Sequence, residues 1–307
     1  MTLVKTAAAI AALLAVCACS PKTQPAAPAE TAQAPTPAAE NVFRFKVGAL
    51  DAAAVLDGTI IVANDGKTFG VGRPASDVAA VLKAAGLPED QLHLSIQPLL
   101  VRSGAQVILF DTGAGDVAFA KGGNLPASLR AAGVEPGQVT DVFISHAHPD
   151  HTGGLLDADG ALAFPNAAIH MSAPEWEAMK AASGQAALVA AIAPKVTAFQ
   201  PGAAVLPGLV AAVQVKGHTP GHSAYEITSG DQRLLYIGDT AHHSVISVQR
   251  PDWTIDYDGD ARAAQASRRA FLQRAADQDL RLYAVHFPFP GLGHVKAQGE
   301  GFAWDPE

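Results

Sequence analysis

Cysteine is nearly missing from this chain of 307 residues, and its two copies, Cys17 and Cys19, both fall in the N-terminal segment. Whatever folds after them has neither a disulfide nor a thiolate metal ligand. Aromatic residues make up only 6 % of the chain, so those near a polar motif are worth following. Positive charge is scarce as well: 21 Lys and Arg against 29 Asp and Glu give a formal charge of -8, with no basic cluster anywhere. A nucleic-acid binder needs a Lys/Arg patch to neutralise phosphates, so that class is excluded. The apolar run Ala7 to Val16 is too short for a membrane-spanning helix, which takes about 20 residues. What remains is 49 % hydrophobic, ample for a sizeable core, and a single α/β domain is the simplest reading of the length.

The N-terminus reads as an export signal. Residues 1–18 carry one Lys5 ahead of the apolar run, and V-C-A-C-S resembles a bacterial lipobox with Cys19 as the lipidated first mature residue. L-A-V-C ending at Cys17 is a competing frame, and a plain secretory signal cleaved nearby is the other reading. Either way the expected location is the cell envelope, periplasmic or membrane-anchored, with contact to a membrane only through that N-terminal lipid. Residues 19–40 are mostly Ala, Pro, Thr and Gln, too poor in large apolar side chains to fold, and read as a disordered tether. The folded domain is expected over 41–307.

Within it, Phe43 to Val47, Thr59 to Val62, Val142 to Ile144 and Ala168 to Met171 read as strands. Leu94 to Val101 and Gln106 to Phe110, joined at S-G-A, read as a hairpin, as do Tyr225 to Thr228 and Arg233 to Ile237 around Ser229-Gly230-Asp231. Ser76 to Ala85 reads as a helix with a Ser cap and Gly86 after it. Leu125 to Ala132, Ala173 to Ala182 and Ala186 to Ile192 are further helical stretches. Ala261 to Asp277 has the spacing of an outer helix whose arginines form a solvated face. The strand-then-acid plan of Gln106 to Asp111 recurs at Leu234 to Asp239. Such an echo suits two β-sheets packed face to face with helices outside.

The densest chemistry lies in S-H-A-H-P-D-H-T-G-G, Ser145 to Gly154, at the end of the strand Val142 to Ile144. Alternate side chains of an extended segment point the same way, so His146 and His148 can face one metal while the turn at Pro149 swings Asp150 and His151 towards a second. Neutral imidazole and carboxylate suit zinc. Two ions need more ligands, and each further candidate follows an apolar run: His218 in G-H-T-P-G-H, Asp239 in G-D-T, and His286. The set then reads His146, His148 and His218 for one ion, Asp150, His151 and His286 for the other, and Asp239 bridging.

H-A-H-P-D-H, G-H-T-P-G-H, G-D-T and a late histidine together resemble the metallo-β-lactamase superfamily. Within it, the tail H-F-P-F-P-G-L-G-H, His286 to His294, is most similar to the methyl parathion hydrolase-like branch, related to the lactonases. The resemblance covers residues 41 to 307 and implies an αβ/βα four-layer sandwich. It implies a binuclear zinc hydrolase in which a water shared by the ions, its pKa lowered to about 7, attacks a carbonyl or phosphoryl centre. Asp150 and Asp239 are the acids closest to that step. The resemblance also suggests Asp111 as an acid behind the ligands, while its place before Thr112 and Gly113 equally suits a turn. His222 reads as a structural hydrogen-bonding histidine, and His93 and His170 as ordinary surface or strand residues. His294 is placed at the pocket mouth by resemblance alone.

Departures from the family pattern narrow the substrate. Acyl homoserine lactonases usually carry Tyr three residues after the bridging Asp. Here that position is His242, either a proton donor or, with His243, one of an exposed pair. The thiolate-type β-lactamases have a Cys near Asp239, and the folded part has none. Flavodiiron members carry a carboxylate at His148, so an imidazole there argues for hydrolysis. Phe119, Trp176, Phe287 and Phe289 are candidates for an apolar pocket or for ordinary core. The expected substrates are small lactones, aryl esters or phosphotriesters. An N-acyl homoserine lactonase, a β-lactamase, a thioester hydrolase and a zinc-binding envelope lipoprotein are the alternatives, and either a monomer or a homodimer fits.

Overall fold

The computed structural model describes residues 1–2 and 40–307. Residues 3–18 of the leader, Cys19 and all but the last residue of the tether lie outside the described residues. Two seven-stranded sheets dominate the rest. The first runs in the order β1 (Val42–Val47), β2 (Leu50–Val55), β5 (Leu99–Ser103), β6 (Gln106–Phe110), β7 (Asp141–Phe143), β8 (Ala168–Ser172) and β9 (Val196–Phe199). The second runs β10 (Ala204–Leu206), β11 (Val210–Gln214), β12 (Ser223–Ser229), β13 (Gln232–Tyr236), β14 (Arg281–Tyr283), β15 (Leu292–Gln298) and β16 (Gly301–Pro306). A separate two-stranded ribbon joins β3 (Gly58–Ala63) to β4 (Gln91–Ile96).

Strand alternation sorts the layers. In β6, Ile108 and Phe110 face the second sheet, where they pack with Tyr225 and Tyr236, while Leu109 faces outward onto Leu125 and Leu129 of helix α2 (Leu125–Ala131). In β13, Leu234 and Tyr236 point inward, and Leu235 points outward to Phe271, Leu272 and Ala275 of helix α7 (Ala261–Asp277). The result is helix, sheet, sheet, helix: the expected αβ/βα four-layer sandwich. Strands β6, β7, β8 and β9 run parallel, as do β13 and β14, so their C-terminal ends gather along one edge.

Three expectations need correction. Leu94 to Val101 is two strands, because the chain breaks between Gln97 and Pro98: β4 joins the ribbon and β5 the first sheet. Proline cannot donate a ladder hydrogen bond, and the break lets Gln97 Nε2 donate to Ala284 O and Phe287 O, each at 2.9 Å. Helix α1 (Ala75–Ala84) starts at Pro74 with no side-chain cap, so Ser76 lies inside it. In α7, Arg268 is only 1 % exposed and belongs to the inner stripe, not to a solvated face.

Candidate metal centre

The predicted ligands arrive from four strand ends. His146 follows β7, Asp239 sits in the short turn after β13, His286 follows β14, and His218 follows β11, while the helical turn α3 (Pro149–Thr152) presents Asp150 and His151. His218 Nε2 lies 3.1 Å from His146 Nε2, 3.1 Å from His148 Nδ1 and 3.3 Å from Asp239 Oδ2. On the other side His151 Nε2 lies 3.2 Å from His286 Nε2, and each is 3.1 Å from Asp239 Oδ1. Asp150 Oδ2 completes that group, 3.4 Å from His286 Nε2 and 3.6 Å from His151 Nε2. Asp239 thus turns one oxygen to each cluster, and all seven predicted ligands converge.

The donor set fits two metal ions. Lone-pair atoms at 3.1 to 3.7 Å from one another match the edge of about 3.3 Å expected for a tetrahedron with bonds near 2.05 Å. The rear nitrogens of His151, His218 and His286 are occupied, which fixes which nitrogen of each faces inward. His151 Nδ1 donates to Asp111 Oδ2 at 2.7 Å, His218 Nδ1 to Asp258 Oδ1 at 3.0 Å, and His286 Nδ1 to Ser95 O at 2.7 Å. Asp111 also accepts from Ser145 N, Ser145 Oγ and Tyr236 Oη, and its φ of 58° is the left-handed turn conformation that Asp tolerates. Asp111 thus bonds the rear of His151 from a left-handed turn position.

Titration directions follow from this crowding. Burial, then the charge of His218, lowers His148 to about 4. Burial also pulls His218 down, but its bonds to Asp239 and Asp258 win and raise it to about 9. Burial would raise the Asp239 carboxyl, yet His151, His286 and His242 hold it well below its ordinary value. Without a dication, protons on some imidazoles must balance the buried acids, so loading a metal releases protons.

Close packing of backbone supports the loop. A Cβ on Gly153 would lie 2.0 Å from Ala114 O, and one on Gly154 would lie 2.1 Å from Thr112 O, so the Gly pair lets the metal loop press against the end of β6. His222 Nε2 accepts from Asp239 N at 2.9 Å.

Comparison with known proteins agrees with this geometry. The sequence profile described as "Metallo-beta-lactamase superfamily" matches residues 95–286. The chain belongs to the metallo-β-lactamase superfamily. Among solved structures, this superfamily member is similar to AidC, a dizinc quorum-quenching lactonase in complex with a product, at 33 % identity over 87 % of this chain and 97 % of that one, with a TM-score of 0.83. It is similar to the hydrolase AbOPH of the β-lactamase superfamily at 29 % identity, 87 % and 97 % coverage and a TM-score of 0.79. A probable metal-dependent hydrolase from Staphylococcus aureus shares the fold at 20 % identity, 86 % and 99 % coverage and a TM-score of 0.73. No curated protein matches. The chain is a metal-dependent hydrolase of the metallo-β-lactamase superfamily.

Above the metal positions this hydrolase has a cavity of about 620 Å³. Ile60, Val62 and Leu94 of the ribbon form one wall, Phe119 and Tyr257 stand at the rim, and Asp150, Asp239 and His242 lie on the floor. His242 is not half of an exposed pair. It is 1 % exposed with Nε2 3.1 Å from Asp239 Oδ2, and His243 is 5 % exposed, its Nδ1 accepting from Val245 N and Ile246 N. Of the four aromatic candidates only Phe119 lines the cavity. Phe287 packs edge-on against Trp304, and Trp176 and Phe289 pack against other core clusters. His294 is not at the mouth either: it pairs with Asp279 at 3.1 Å and Glu307 at 3.5 Å. His93 is exposed on β4, and His170 on β8 stacks on Phe143 and bonds Asp141.

Sequence reasoning missed the ties between loops. Asp258 bonds His218 and the Arg268 guanidinium at 2.6 Å, and Arg268 also donates to Thr240 O, next to Asp239. The signal was present: 264, 268, 271, 272 and 275 fall on one helical stripe with buried residues. Glu175 is buried and accepts from Ala147 N, Thr219 Oγ1 and Gly221 N, joining the two histidine loops. Ser172 three residues earlier caps that helix, α4 (Ala173–Ala181), and S-x-x-E was the readable sign.

Proposed function

We propose that this chain is a binuclear zinc hydrolase of lactones, aryl esters or phosphotriesters, exported to the cell envelope by residues 1–18 and tethered there through lipidated Cys19. The observation that carries the reading is Asp239 dividing its two oxygens between two imidazole clusters on the floor of a cavity with an aliphatic wall. When bound, the ions supply Lewis-acid polarisation of a carbonyl or phosphoryl oxygen and lower the pKa of water into the neutral range.

The protein's own groups do the rest. Asp111, Asp258 and the Ser95 carbonyl orient the inner nitrogens, so little reorganisation is needed when charge develops. Ile60, Val62 and Leu94 bury an acyl or aryl group and exclude water beside the reacting bond. His242 presents its imidazole beside Asp239 at the cavity floor, placed to contact the departing oxygen. Lactones are the first substrates to test, including N-acyl homoserine lactones, because AidC is a lactonase.

The test is turnover by the zinc-loaded full chain on N-acyl homoserine lactones, dihydrocoumarin, p-nitrophenyl esters, paraoxon and a β-lactam. Chelator-sensitive hydrolysis of a lactone, ester or phosphotriester is expected. A protein holding two zinc ions that turns over none of them would be a zinc-binding envelope protein instead.

A further inference from the structure

Among the described residues, no lysine or arginine lines the cavity over the metal positions. Its charged side chains are Asp150, Asp239 and Asp256, with imidazoles from His148, His242 and His286 on the floor. Asp150 and Asp239 face the histidine clusters and belong to the metal positions. Asp256 is different, since it stands exposed on the rim, away from the ligands.

The rim that carries Asp256 is held in place. Gly70 N donates to Thr254 O at 2.9 Å, Asp256 N donates to Thr68 O at 2.9 Å, and Phe69 bridges Ile255. Tyr257 beside it turns its ring towards the floor, 5.7 Å from the His242 ring. Lys67 could have compensated the Asp256 charge, but it pairs with Asp65 at 2.9 Å.

We propose that Asp256 is a specificity-determining residue that restricts this site to substrates whose acyl or aryl part is uncharged or cationic. Substrates that carry a carboxylate or phosphate away from the scissile bond are turned away. The inference rests on the hydrolase reading above. An anion at the metal positions would be met by cations, whereas one lying along Ile60, Val62 and Leu94 loses its hydration with no partner in return. It also meets the Asp256 carboxylate, a repulsive element of the kind that builds specificity by exclusion. A neutral chain in the same place gains from burial.

The test uses the zinc-loaded full chain and three p-nitrophenyl esters of matched length: hexanoate, mono-adipate and 6-trimethylammoniohexanoate. kcat/KM for the hexanoate and the ammonium ester is expected to exceed that for the mono-adipate by about 100-fold or more. Asp256→Asn should raise the adipate-to-hexanoate ratio about tenfold, Asp256→Lys should raise it further, and 0.5 M salt should shrink the difference between variant and parent. Hexanoate and adipate turned over within threefold of each other, or a ratio unmoved by Asp256→Asn, overturns the charge selection and leaves the hydrolase reading standing. No turnover of any of the three esters overturns this inference, while the hydrolase reading is decided separately by the lactone and phosphotriester arms of the panel above.

Discussion

The floor of the cavity and its wall are built in opposite ways. On the floor, His146, His151, His218 and His286 are at most 3 % exposed, and each has its rear nitrogen bonded to a named partner. On the wall and rim, Ile61 is 48 % exposed, Phe119 53 % and Tyr257 37 %, and they come from the ribbon and from loops, outside the two main sheets. The floor is therefore over-determined, while at the rim Ile61, Phe119 and Tyr257 stand partly in solvent beside the buried wall residues Ile60, Val62 and Leu94. Chemistry that must be placed to within tenths of an ångström sits on the sandwich, and the part that meets the variable half of a substrate sits where change costs least stability.

The largest expected effect comes from breaking a tie beneath the floor. Arg268→Met leaves Asp258 as a buried carboxylate without its guanidinium, so unfolding free energy should fall by about 3–5 kcal/mol in denaturant titration, and metal retention should fall with it. A variant as stable as the parent would mean that the Asp258 pair is not part of the cradle. Next is Asp111→Asn, which keeps the shape but weakens the bond to His151; metal affinity or activity should drop about 10–100-fold, read by competition with a chelator.

Behind the wall, His243 gives a pH signature. Burial, then the neighbouring His93, lowers it to about 4 in the fold, against 6.5 when unfolded. Between pH 6.5 and 4 the unfolded chain takes up a proton that the folded chain refuses, so this contribution is complete above 6.5 and is lost as pH falls through that window. His243→Gln should flatten the decline by on the order of 2 kcal/mol, and an unchanged pH slope would place the acid sensitivity elsewhere. Smallest of all, Phe119→Ala on the exposed rim should raise KM for a long-chain ester about fivefold with little change for an acetate. Equal losses on both esters would move Phe119 from wall to floor.

The same contrast explains what could be read in the sequence. Four of the floor's ligands lie within six residues after one strand, and Asp239, His218 and His286 each mark the end of an apolar run, so local pattern was enough. Asp258 and the Ser95 carbonyl act through contacts between distant segments and leave no local trace, and Glu175 is marked only by the S-x-x-E cap of its helix. Arg268 was misplaced because a charged helical residue is usually solvated, although its stripe position argued otherwise. Leu50–Val55 went unread as a strand because L-D-A-A-A-V has low β propensity, and burial between sheet and helices decides its conformation instead. Pro98, inside an apolar stretch, was the sign that Leu94 to Val101 could not be one strand, and the ribbon it releases is the wall. Substrate recognition was thus hidden where strand pairing was hardest to infer.

Counting metal per chain tests the central claim most directly. Elemental analysis of the zinc-loaded full chain and of Asp239→Ala, each after exhaustive removal of free metal, should give two ions for the parent and fewer than one for the variant. One ion or none in the parent, or two retained without Asp239, would contradict an acid shared between two clusters.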